Sequence, residues 1–264
     1  MDLFEGLKSK IKGQNRTVVF PEGEDVRVLA AAIRLADDGL VQSILLGVEA
    51  DIKATAEKHG LNLENVQIID PSQYPEADQK EMIDKLVERR KGKNTEEQVI
   101  EMLKDVNYFG TMLVYLGKAD AMVSGAVHAT GDTVRPALQI IKTKPGMRRI
   151  SGAFIMQREN ERYVFGDAAI NIDPDAETLA EIAIQSAETA RLFDIDPKVA
   201  MLSFSTKGSA AGPMVDKVRE ATKVAQERDP KTPYDGELQF DAAFVPAVGA
   251  SKAPDSEIAG HANV

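Results

Sequence analysis

Cysteine is absent from the 264 residues. That excludes a disulfide framework and a protein thiol as nucleophile. Histidine is scarce, at three residues. With no cysteine beside them, little material remains for a zinc site, and no metal is expected. Nowhere is there an apolar run long enough to span a membrane. A glycine-rich GxGxxG does not follow the first apolar strand pattern, which argues against a nicotinamide-binding Rossmann domain. Basic residues are outnumbered, for a net charge of −10. Such a chain lacks the broad basic surface of a nucleic-acid binder, although a local cluster of Arg and Lys can still hold a small anion.

What is present reads as an α/β protein. Thr17–Phe20, Ser43–Leu46 and Val66–Ile69 are short apolar runs. Helical spacing fills the intervals: Asp25–Leu40, stopped near Gly39, and Val48–His59, stopped by Gly60. Strand and helix alternating in this way predict right-handed βαβ units and a parallel sheet. At the N-terminus, MDLFEGLKSKIKG spaces Phe4, Leu7 and Ile11 as an amphipathic helix with acids in its first turn. It has no signal-peptide apolar core, so a cytoplasmic location is expected. Further helices are predicted over Pro75–Arg90, from about Thr95, and over Asn107–Gly117. The loop Thr143–Met147 is the best candidate boundary, giving domains 1–146 and 147–264. Beyond it, Ile150–Gln157 and Arg162–Phe165 form a predicted hairpin. Helices follow at Ala176–Phe193, Pro213–Arg228 and Gln239–Ala250, with a strand at Lys198–Phe204.

Four stretches carry candidate chemistry. In the first, a predicted buried strand, Ala119–Val123, leads into Ser124–Gln139, SGAVHATGDTVRPALQ. Ser124, Thr130 and Thr133 supply hydroxyls, and Asp132 or Thr133 is expected to cap a helix with Pro136 and Arg135 in its first turn. Helix-start N–H groups beside an Arg suit phosphate or carboxylate, although an ordinary capped turn with a surface Arg fits the same pattern. The second is a basic cluster, Lys85, Arg89, Arg90, Lys91 and Lys93, which is either a solvated helix end or an anion site. The third is Ser205–Gly212, where Ser205, Thr206, Lys207 and Ser209 form another hydroxyl-rich loop before a helix, without being GxxxxGK[ST]. In Gly166–Pro174, Asp167 and Asn171 can also reach into a site.

SGAVHATGDTVRPALQIIKTKPG resembles the phosphate acetyltransferase (phosphotransacetylase) family. So do YFGTMLVYL (from Tyr108), YVFGDAAINI (from Tyr163), MLSFSTKGSA (from Met201) and GELQFDAAFVP (from Gly236). The resemblance implies two α/β domains with parallel or mixed sheets flanked by helices and an active-site cleft between them. It implies reversible movement of an acetyl group between acetyl phosphate and coenzyme A, with phosphate released or consumed. Coenzyme A is then a substrate, and no cofactor is expected. Arg89, with Arg90 beside it, is implied at the coenzyme A site; Arg135 and the hydroxyls of Ser124, Thr130 and Thr133 serve the reacting groups. A homodimer is implied as well. Family chains run past the position of Val264 into a segment that bears an Asp-Leu-Ser-Arg sequence and completes the first domain, so this chain resembles a member lacking that segment. A phosphate butyryltransferase-like enzyme and a non-catalytic binding module are the alternatives. His128 is read as packing or hydrogen-bonding in its loop rather than as a general base.

Overall fold

The computed structural model describes residues 3–264, which divide into two compact units, 3–142 and 143–264. In the first unit, strands β1 (Thr17–Phe20), β2 (Gln42–Leu46), β3 (Val66–Ile69) and β4 (Ala121–Met122) form one parallel sheet in the order β3-β2-β1-β4. Helices α1 (Leu3–Ile11), α2 (Val26–Asp37), α3 (Glu49–His59), α4 (Glu76–Arg90), α5 (Glu96–Met102), α6 (Val106–Tyr115) and α7 (Thr130–Ile140) surround it. Alternate strand residues point to opposite faces. Val19, Ile44 and Leu46 therefore join Met82, Leu86, Phe109, Met112 and Ile140 in one core. Phe20 and Leu45 join Leu29, Ala32, Ile33, Ile52 and Ala56 in another. A sheet buried on both faces explains why its strands read as continuous apolar runs.

Local chemistry sets most helix ends. Asp25 caps α2 by accepting from Arg27 N, Gly60 ends α3 in the left-handed conformation, and Thr95 and Gln98 form a capping box on α5. Four expectations need correction. Helix α1 buries Leu3, with Leu7 and Ile11 half-buried, while Phe4 is exposed; a stripe four residues apart follows Leu3, and the expected acid Asp2 lies outside the described residues. The strand before the hydroxyl loop is two residues long, and Val123 at its end is 57% exposed. Helix α7 begins at Thr130 with Ala129 as its cap, so Arg135 lies in the second turn and Pro136 in the interior. The predicted helix over Gln239–Ala250 is two helices, because Pro246 lacks an N–H and forces Val245 out of helical geometry.

The second unit holds a hairpin of β5 (Ala153–Arg158) and β6 (Glu161–Gly166), and a parallel pair of β7 (Val199–Leu202) and β8 (Tyr234–Leu238). Its helices are α8 (Ala176–Leu192), α9 (Pro213–Arg228), α10 (Phe240–Phe244) and α11 (Pro246–Lys252). Small residues let α8 and α9 approach: Ala180, Ala183, Ala187, Ala221 and Ala225 are all buried in one core with Met201 and Tyr234. Strand β8, with the sequence YDGEL, carries no apolar run and is absent from the sequence reading. It exists because Tyr234, Glu237 and Leu238 are buried. Residues 262–264 lie between β6 and β7. Val164 N donates to Asn263 O and Ala200 N to Val264 O, both at 2.9 Å. A cavity of about 400 Å3 adjoins them, lined by Phe165, Ile182, Ser186, Met201 and Phe244 among others.

Gly236 is where β8 has no room. A Cβ there would meet Met201 Cβ and Thr222 Oγ1 at 2.7 Å and Met201 O at 2.9 Å. Gly236→Ala is therefore expected to destabilise the protein by about 1–3 kcal/mol, read as a lower urea midpoint with an unchanged m-value.

Candidate active site

The hydroxyl loop after β4 folds around a carboxylate. Glu22 follows β1, the strand beside β4, and its side chain is only 2% exposed. Its Oε2 accepts from Gly125 N (3.1 Å) and Ala126 N (2.8 Å). Its Oε1 accepts from Val127 N (2.8 Å) and His128 N (2.9 Å), and His128 Nδ1 lies 2.8 Å away. Burial pushes the carboxyl pKa up, but these donors outweigh it and bring it down to about 2. Because an ionised carboxylate only accepts, His128 must present Nδ1–H. From the other side, Arg27 donates to Ala126 O at 3.1 Å.

The loop amides expected to meet a substrate anion thus meet a protein carboxylate instead. What remains for a ligand starts at α7. Ala129 offers no side-chain cap, Asp132 N and Thr133 N bond back to Ala129 O, and the amides of Thr130 and Gly131 meet no acceptor among the described residues. Thr130 is exposed, and Thr133 Oγ1 donates to Ala129 O at 3.3 Å. Ser124 Oγ donates to Asn107 Oδ1 at 2.6 Å, leaving its lone pairs to accept. Arg135 is 58% exposed and, among the described residues, paired only with Asp132, at 3.5 Å. Tyr108 bonds Gln139 (3.0 Å). Burial raises its phenol pKa, and the charges of Arg135 and Arg90 oppose the rise.

Arg89 bridges α4 to the end of α7. Its Nε donates to Ile140 O (2.6 Å) and its NH2 to Ile141 O (3.2 Å), and its guanidinium lies 5.3 Å from the Tyr115 ring centroid. A cation there satisfies orphan helix-end carbonyls. Arg90 bonds Asn94 Oδ1 at 2.8 Å. Lys142 belongs to the same cluster. Its pKa is lowered first by the charge of Arg89, then by burial, and further by Lys91, Lys93 and Arg90. This is a concentration of positive charge, not only a frayed helix end.

In the second unit, another buried glutamate plays the part of Glu22. Glu237 of β8 takes Arg219 in a two-pronged pair (2.8 and 3.0 Å), Gly208 N (2.8 Å) and Ser205 Oγ (3.1 Å). Burial raises its pKa, but Arg219 and the loop donors bring it down to about 2. The loop is also bonded within itself. Thr206 N donates to Ser209 Oγ (3.0 Å), Gln239 N to Thr206 Oγ1 (2.9 Å), and Lys207 pairs with Asp235. Asp167 accepts from the amides of Ala169, Ile170 and Asn171 and from Asn171 Nδ2, which also reaches Ile150 O. Those bonds lower its pKa against burial.

The structure brings Ser124, Thr130, Thr133 and Arg135 together on one loop and helix start, and Arg89 and Arg90 into one cation cluster with Lys142. Glu22, Glu237 and Tyr108 were not singled out from the sequence; Lys142 was, as one of the basic residues around the Thr143–Met147 loop. An acid among small residues just after an apolar strand, as in Pro21-Glu22-Gly23, was the available signal for the first. Among the described residues no group of His, Cys, Asp and Glu is arranged to hold a metal ion, and no helix is long and apolar enough to cross a membrane.

Parallel-sheet α/β units with hydroxyl-rich loops at helix starts, and clustered arginines, describe a protein that handles phosphorylated small molecules. The chain belongs to the phosphate acetyl/butaryl transferase family, whose model matches residues 2–264. It is 56% identical over 263 residues to a phosphate acetyltransferase of Bacillus subtilis, covering 100% of this chain and 81% of that one. A solved phosphotransacetylase from Streptococcus pyogenes is 59% identical with a TM-score of 0.94, covering 99% of this chain and 79% of its own. The EutD phosphotransacetylase from Staphylococcus aureus is 54% identical with a TM-score of 0.92, over 100% and 80%. A branched-chain phosphotransacylase from Enterococcus faecalis, 18% identical with a TM-score of 0.63, shares the fold.

A test of the second loop follows from Glu237. Its depressed pKa contributes stability that is present above the ordinary value of 4.5 and is lost as pH falls toward about 2. A shift of this size corresponds to roughly 3 kcal/mol. Glu237→Gln should lower stability at pH 7 and flatten its decline across that acid window, as measured by urea unfolding at stepped pH.

Proposed function

We propose that this chain moves an acetyl group reversibly between acetyl phosphate and coenzyme A. The observation that carries the reading is identity above half, across the whole chain, to phosphate acetyltransferases. In the forward direction the coenzyme A thiol, with a free pKa near ~8.5, loses its proton and attacks the acyl carbon. The carbon–oxygen bond to phosphate then breaks, and inorganic phosphate leaves. No covalent acyl-enzyme forms, so the absence of cysteine is no obstacle.

Negative charge builds on the acyl oxygen and the departing phosphate, and positioned donors stabilise it. Arg135 and the open amides of Thr130 and Gly131 are assigned to the phosphoryl group. Ser124, Thr130 and Thr133 line the same anion. Arg89, Arg90 and Lys142 are assigned to the phosphates of coenzyme A, where a bound polyanion would relieve the repulsion within that cluster. Ser205, Thr206, Lys207, Ser209, Asp167 and Asn171 are assigned to substrate contact in the second unit; a ligand there must exchange with the internal partners these residues hold. The protein is further read as a cytoplasmic homodimer. The exposed cross-strand residues Phe154, Met156 and Phe165 of the hairpin offer apolar area for a second copy.

The direct test is acetyl-phosphate-dependent formation of acetyl-CoA by the purified chain. Arg135→Ala should lower kcat/KM for acetyl phosphate by about 100-fold. Lys142→Ala should raise KM for coenzyme A by roughly tenfold, with kcat little changed. Native kinetics in the first variant would remove Arg135 from the site; native kinetics in the second would remove Lys142.

A further inference from the structure

Glu22 is a buried charge that takes no part in the acetyl transfer described above. Five donors converge on it, four of them consecutive backbone amides from Gly125 to His128. They are separated from Glu22 by more than a hundred residues of chain. A run of amides pointing at one carboxylate fixes the backbone of the whole turn. Ser124, bonded to Asn107, lies immediately before that turn. Ala129, the cap of α7, lies immediately after it, followed by Thr130, Thr133 and Arg135.

We propose that Glu22 is a positioning residue for acetyl transfer: by holding the Gly125–His128 amides it sets where the start of α7 presents the Thr130 and Gly131 amides and Arg135 to the phosphoryl group. This rests on the acetyl-transfer reading. Glu22 touches no substrate and acts through the loop. The two oxygens divide the work, one taking Gly125 and Ala126, the other Val127 and His128. Both must therefore be acceptors. A neutral amide in the same place would turn a donor toward one of the two pairs, and that pair would swing away. Arg27, which holds Ala126 O, is exposed and cannot by itself keep the turn closed.

The test compares native protein with Glu22→Gln, Glu22→Asp and Ser43→Ala. Ser43 of β2 makes a buried bond to Ala32 O of α2, between residues outside the loop, and its variant controls for lost stability alone. Inorganic phosphate is titrated while amide spectra are followed at Thr130 and Gly131, and the ring nitrogens of His128 report its tautomer. In native protein phosphate should shift both amides, with His128 carrying its proton on Nδ1. In Glu22→Gln the phosphate affinity at these amides should fall roughly tenfold and the His128 tautomer should change. Its kcat should fall about 100-fold, with KM for coenzyme A within roughly threefold of native. Glu22→Asp keeps the charge on a shorter arm that cannot reach all the amides; its kcat should lie roughly tenfold below native, between the native and Glu22→Gln values, with a partial loss of phosphate affinity. Ser43→Ala should keep native kinetics.

A Glu22→Gln protein with native phosphate response and native kcat overturns the proposal. So does a native chain whose Thr130 and Gly131 amides ignore phosphate, or a Ser43→Ala protein with an equal loss of kcat. Should Glu22→Gln fail to fold, Glu22→Asp carries the test, and fully native phosphate affinity and kcat in it overturn the proposal. A native chain that binds phosphate at these amides but forms no acetyl-CoA defeats the acetyl-transfer reading instead; the phosphate comparison then decides the role of Glu22.

Discussion

A buried carboxylate that must stay ionised is the constraint on which both hydroxyl loops depend. Glu22 and Glu237 each stand at or just after one strand of a parallel pair, and each takes donors from the loop that follows the neighbouring strand. Removing such a charge from water is costly unless every lone pair finds a donor. Here the donors are the loops themselves, joined at Glu237 by Arg219 of α9. Each loop is consequently fixed by the requirement that its N–H and O–H groups face inward, and the groups open to a ligand are those left over. At α7 the remainder is two amides and an exposed guanidinium; in the second unit, the internal bonding of Ser205 to Ser209 leaves less.

This division of donors refines how an anion site is built from a helix start. The partial positive charge of a helix N-terminus acts only over its first turn. A side-chain cap on α7 would consume it. Ala129 provides none, and the Glu22 carboxylate bonds the residues just upstream, Gly125 to His128. Arg89 performs the reverse service at the other end of α7, bonding carbonyls there and leaving Arg90, Lys91, Lys93 and Lys142 crowded around it. One helix thereby links the residues assigned to the phosphoryl group with those assigned to coenzyme A.

Much of the first unit was legible in the sequence because its signals are local. Thr17–Phe20 and Val66–Ile69 are apolar runs that form strands over those same residues, and Gly60 and Thr95 mark helix boundaries by their own backbone or side-chain chemistry. The break at Pro246 and the stripe of α1 were local signals; the other failures share a cause, a deciding partner distant in sequence. Strand β8 is polar and is buried only because α9 and β7 cover it. The start of α7 is set by Glu22, more than a hundred residues away. The small-residue and hydroxyl character of Ser124–Thr133 and Ser205–Ser209 was readable, but not which of their groups would be spent internally. Arg89 was readable as a basic residue at a helix end, yet its bonds to Ile140 and Ile141 depend on a helix fifty residues further on.

The most direct measurement is a pH titration of the glutamate side-chain carboxyls by carbon NMR. The account predicts that Glu22 and Glu237 remain ionised down to about pH 2, well below the ordinary glutamate value of 4.5. A spectrum in which every glutamate titrates near 4.5 with the fold intact would contradict it, because neither loop would then be held by a buried charge.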